Sequence, residues 1–103
     1  MNTNKKELQI KSLIQDFSIE TTPNVYTKYG HFEGLISKKN NVYITYLPNE
    51  NSKRVINTSK KLNEEGINAI PHLPARTIED NKQLEKNIGA LSETAGCKKI
   101  LVI

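Results

Sequence analysis

Three successive apolar runs of this sequence close on residues that could do chemistry. Phe17-Ser18-Ile19-Glu20 ends in a carboxylate, and Val42-Tyr43-Ile44-Thr45-Tyr46 ends in two hydroxyls. Ile67-Asn68-Ala69-Ile70 leads through Pro71 to the imidazole of His72. In parallel α/β folds the ends of strands are where sites form. A general acid, a hydroxyl pair and an imidazole on neighbouring strand ends suit the binding of a planar cofactor with acid assistance. Each residue also has a plainer reading. Glu20 could cap a helix or pair with a lysine, Thr45 and Tyr46 are good strand formers, and His72 could serve a turn between prolines. His31 reads as a surface residue. Cys97 has no partner His or Cys motif, so it reads as a small buried hydrophobe rather than a nucleophile.

Other chemistries find no support. The five glycines are spread along the chain and make neither a Gly-x-Gly-x-x-Gly turn nor a Walker loop. No Cys/His cluster has zinc spacing, so no metal site is expected. With two histidines and no serine elbow, a hydrolytic triad is not expected either.

The elements that must position these residues follow from periodicity. The second and fourth apolar runs, the latter Lys99 to Ile103, are nearly continuous and rich in β-branched residues, as in parallel strands. Ile10, Leu13, Ile14 and Phe17 have the spacing of an amphipathic helix running into the first strand. Val55, Ser59, Leu62 and Gly66 mark a second helix, and Leu84, Ile88, Leu91 and Ala95 a third. Thr77-Ile78-Glu79-Asp80 predicts a capping box with Thr77 at the N-cap. Thr22 to Ser37, interrupted by Gly30 and Gly34, predicts a short broken helix. Gly66 and Gly96 each follow a helical pattern where a left-handed residue is wanted. They lie roughly 30 residues apart, the length of one β/α unit. Pro71 and Pro74 predict that the third strand ends near Ile70, because proline cannot donate to a central ladder. The predicted order is α-β-α-β-α-β-α-β around a parallel sheet, either a small open sheet or half of a barrel.

Composition bounds the function. At 103 residues the chain is at most one domain, with a modest core. Net charge is +4, but the lysines come as scattered pairs without interleaved aromatics, so nucleic acid is not expected. No run approaches a membrane span, and Met1 to Lys6 lacks the apolar stretch of a signal peptide. One cysteine fits a reducing cytosol and a cytoplasmic location.

The strand ends together resemble the methylenetetrahydrofolate reductase family. Ser18-Ile19-Glu20 followed by Pro23 is similar to that family's S-x-E-F-F-P-P. Val42 to Tyr46 matches V-x-V-T-Y-G, and Gly66 to Leu73 is close to G-x-x-A-x-P-H-L-T-C, the most specific of the three. Lys98 to Ile103 looks like the strand leading to the family's L-R-G-D or G-G-D. The resemblance covers roughly residues 16–103. It implies a partial (β/α)8 TIM barrel: an N-terminal helix over 1–15, then the first four parallel strands and three intervening helices over 16–103. It also implies FAD, a folate substrate, NAD(P)H as donor, and reduction of 5,10-methylenetetrahydrofolate to 5-methyltetrahydrofolate in the one-carbon metabolism that feeds methionine synthesis. Glu20 would be the general acid, a half-buried carboxyl protonating the arylamine nitrogen so that the imidazolidine ring opens to an iminium ion. Thr45, Tyr46 and His72 would line the flavin. Departures from the pattern are Thr21-Thr22-Pro23-Asn24 for Phe-Phe-Pro-Pro, Leu47-Pro48 after Thr-Tyr in place of Gly, and Pro74-Ala75 for Thr-Cys.

Such a barrel takes about 250 residues. Four strands are therefore expected to need a C-terminal half or a homo-oligomer, and to be inactive alone. The alternatives are a non-catalytic α/β interaction module, a half-barrel assembly subunit, and a folate-binding methyl-transfer protein without flavin.

Overall fold

The computed structural model describes residues 2–14, 17–30, 32, 34, 36 and 40–103; His31 lies outside them. The elements are α1 (Asn2–Ile14), β1 (Ile19–Thr21), α2 (Pro23–Tyr29), β2 (Asn41–Ile44), α3 (Ser52–Glu64), β3 (Asn68–Leu73), a 3₁₀ turn (Ala75–Thr77), α4 (Asn81–Gly89), a π turn (Ala90–Thr94) and β4 (Leu101–Val102). The strands form one parallel sheet in the order β1-β2-β3-β4. The alternation of strands and helices read from the sequence is thus the alternation observed.

Local chemistry explains where the helices start and stop. Thr22 caps α2 by accepting from the Val25 amide at 3.1 Å, and Pro23 supplies a first residue that needs no donor. The helix ends at Gly30, whose φ is 73°, as the broken-helix reading required. Asn51 caps α3 through the Arg54 amide at 2.9 Å. Gly66, with φ 82°, closes α3 in a Schellman motif: its amide donates to the Asn63 carbonyl at 3.0 Å and the Ile67 amide to the Leu62 carbonyl at 3.0 Å.

The cap of α4 differs from the expectation. Asp80, not Thr77, is the N-cap and accepts from the Gln83 amide at 2.8 Å. The Gln83 side chain reaches back to the Glu79 amide at 2.8 Å, so the reciprocal box sits three residues later. Thr77 instead closes the 3₁₀ turn, donating to the Pro74 carbonyl at 2.8 Å.

The third strand is a second correction. It runs through Pro71 and His72 to Leu73 instead of stopping at Ile70. Parity explains how. Leu73 accepts from the Ile103 amide at 3.0 Å, so Leu73, Pro71 and Ala69 turn their backbone polar groups toward β4. Pairing with β4 begins only at His72, opposite Leu101. The donor that Pro71 lacks therefore faces a stretch with no ladder, and the pairing with β2 is intact through Pro71 opposite Ile44. On that same side the Ala69 amide donates to the Asn63 side chain at 3.2 Å, a substitute for the missing strand.

The core lies on one face of the sheet. Val42, Ile44 and Ala69 pack with Tyr26 of α2, Val55 and Leu62 of α3, and Ile67. The α2 and α3 crossovers thus cover the same face. Register puts Glu20, Tyr43 and Ile70 in one row of alternate residues, off that core. Of α1, the apolar Leu8, Ile10 and Leu13 are all exposed, so among the described residues none of the three packs into the core.

Candidate functional site

Glu20 stands in the middle of β1, beside Tyr43 of β2. It is exposed, not half-buried, on the outer strand of the described sheet. Beyond β2 the pairing continues for one residue: the Thr45 amide donates to the Thr21 carbonyl at 2.8 Å, which holds Thr45 at the tip of β1. Glu20, Thr21, Thr22, Val25, Thr45 and Leu47 then line an open cleft of about 320 Å³. The Thr22 hydroxyl is committed to its helix cap. Among the described residues nothing engages the Glu20 carboxylate or the Thr45 hydroxyl.

Leu47, which replaces a glycine of the resembled pattern, forms part of the cleft wall and starts a tight turn. The Glu50 amide donates to its carbonyl at 3.0 Å, with Pro48 and Asn49 at the centre. Asn49 has φ 70°, the positive value that the third residue of a type II turn requires and that Asn tolerates. Arg54 pairs with Glu50 at 3.2 Å and donates to the Asn24 side chain, tying the first turn of α3 to the first turn of α2.

Tyr46 and His72 meet at a different place. With Ser52, Val55, Ile56, Leu73, Asn87 and Leu91 they line a small cavity with about 10 Å³ of room. His72 is 9% exposed, and among the described residues neither ring nitrogen has a hydrogen-bond partner. Its ring sits 6.3 Å from that of Tyr43. The structure therefore brings Glu20 together with Thr45, and Tyr46 together with His72, at separate cavities.

Two other groups are perturbed by their surroundings. Burial first, then the hydrogen bond to Glu65 and the nearby Glu65 and Glu64 charges, push the Tyr26 phenol well above its ordinary range. Glu65 also accepts from the Phe32 amide at 2.8 Å, so this contact fastens the segment after α2 to the end of α3. Burial raises the Cys97 thiol, against smaller opposing bonds from Ser59 and Asn63, although the residue is only half-buried.

Thr21, Thr22 and Val25 in the cleft, and Ser52 and Asn87 in the cavity, were not singled out in the sequence. Thr22-Pro23 is a readable helix start and would have placed the first three. Ser52 and Asn87 carry no signal, because only the packing of α4 against α3 brings them within 3.5 Å. Among the described residues no three His, Cys, Asp or Glu side chains gather to hold a metal. Among the same residues no helix is long and apolar enough to cross a membrane. Compared with models of known protein families, the sequence matches none.

Proposed function

We propose that this chain is the first half of a methylenetetrahydrofolate reductase-like barrel, with Glu20 as its general acid. The observation that carries the reading is the Glu20–Thr45 cleft: an unengaged carboxylate within β1 and an unengaged hydroxyl just past the end of the adjacent parallel strand β2. The strand order supports it. Consecutive neighbours with the α2 and α3 crossovers on one face are what half of an eight-stranded barrel requires, whereas a doubly wound sheet reverses direction and covers both faces.

The cleft fits one edge of a planar cofactor, at the small end of the usual range for such sites. Thr45 would hold FAD there by donating to a ring oxygen. Tyr46 and His72 do not share that fit, because their cavity has room for a water and not for a ring. When bound, FAD supplies the hydride that NAD(P)H delivers to it. Glu20 supplies the proton: its carboxyl hydrogen passes to the arylamine nitrogen of the folate as the ring carbon–nitrogen bond breaks. The electrons of that bond stay on the nitrogen, leaving an electrophilic iminium carbon. Val25 and Leu47 give the cleft its apolar wall. A cytosolic location belongs to this reading.

The test joins these residues to four further strand–helix units that complete a barrel, and measures FAD uptake and folate reduction. The reading expects a flavin-loaded protein whose activity falls about 10²–10⁴-fold on Glu20→Gln, the range for loss of a general acid. A completed barrel that takes up no flavin refutes it.

A further inference from the structure

The buried imidazole of His72 calls for a partner that the described residues do not provide. Both ring nitrogens are shielded from solvent and unpaired among the described residues. A neutral imidazole always carries one N–H donor and one acceptor. Buried polar groups left unmet are rare in folded proteins and usually mark a bound water or ion.

The cavity that His72 lines says which. Its room of about 10 Å³ matches one water and is too small for a phosphate, a carboxylate or any ring. No Lys, Arg, Asp or Glu lines it, so nothing there is built to neutralise an ion. It does hold the polar side chains a water needs. Ser52 lies in the first turn of α3, and Asn87 on α4 donates to the Ser52 hydroxyl at a long 3.5 Å. That stretched contact leaves both groups capacity for a further bond. Apart from Tyr46, the remaining wall, Val55, Ile56, Leu73 and Leu91, is apolar and would slow the exchange of such a water.

We propose that His72, Ser52 and Asn87 together bind a single internal water that joins the tip of β3 to α3 and α4. His72 is then a positioning residue: through the water it fixes the strand end against both helices, and it does not itself contact a cofactor. This assignment is independent of the reductase reading, because its test contains neither flavin nor folate.

The experiment is solution NMR of the 103-residue chain. Long-range ¹H–¹⁵N spectra of the His72 ring should show one neutral tautomer, with a ring proton that gives a direct cross-peak to a long-lived water. Oxygen-17 relaxation dispersion should lose the contribution of one water on Asn87→Leu, and likewise on Ser52→Ala if the first variant fails to fold. The His72 ring proton should exchange at least tenfold faster with solvent in whichever variant folds. A His72 proton without a water cross-peak in the parent, or dispersion identical in parent and folded variant, overturns the proposal.

Discussion

Asn63 offers the sharpest test of how this small sheet is held together. Its amide nitrogen donates to the Ala95 carbonyl at 2.7 Å, and its oxygen accepts from the Ala69 amide at 3.2 Å. One side chain at the end of α3 therefore fastens both the start of β3 and the end of the π turn. Ala69 and Ala95 are 0% and 3% exposed, so Asn63→Ala leaves a donor and an acceptor with little access to water. Each unmet buried group costs about 1–3 kcal/mol. Allowing for partial rehydration through the space left behind, the substitution should cost about 2–4 kcal/mol. The contact to the Cys97 sulfur at 3.6 Å adds little. Against a total stability of about 5–15 kcal/mol for a small domain, that loss is a clear shift of the urea midpoint followed by circular dichroism. Asn57→Ala, at an exposed position of the same helix, serves as control and should stay within about 0.5 kcal/mol. If Asn63→Ala unfolds like the control, the junction described here does not hold the fold.

Two further outcomes follow from the structure. The raised Tyr26 phenol favours the protonated form in the folded state. Its contribution is fully present below the ordinary phenol value of about 10 and is lost as pH climbs from there toward the folded value. Stability should therefore fall with pH above about 10, and Tyr26→Phe should flatten that slope; a slope unchanged by the substitution counts against the Tyr26–Glu65 contact. The outer strand β4 exposes Leu101, Val102 and the following Ile103, the surface of a strand edge that invites pairing. The half-barrel reading expects a light-scattering mass near twice 11.7 kDa. A monomer melting in one cooperative step favours a self-contained interaction module instead.

Much of this architecture is legible in the sequence because the signals are local. Gly66 and Gly96 sit where a left-handed residue ends a helical pattern, and both have positive φ. Leu62, Leu91 and Ala95 were placed by helical spacing and all three are buried. What misled was also local. Pro71 counts against a central strand only if its missing donor faces a partner strand, and parity decides that after the sheet has formed. Thr77 and Asp80 are both good caps three residues apart from an acceptor or donor, and the 3₁₀ turn selects between them. The candidate site divides along the same line. Glu20 and Thr45 follow from strand ends, whereas the cavity at His72 depends on α4 docking against α3, which no spacing within one segment encodes.

The central claim is that Glu20 gives a proton to the folate. Its most direct test is the barrel-completed protein with and without Glu20→Gln, with the two halves of the reaction timed separately. The account predicts that reduction of bound flavin by NAD(P)H proceeds at the parent rate, while reduction of methylenetetrahydrofolate slows about 10²–10⁴-fold. Folate reduction at the parent rate in Glu20→Gln would contradict it.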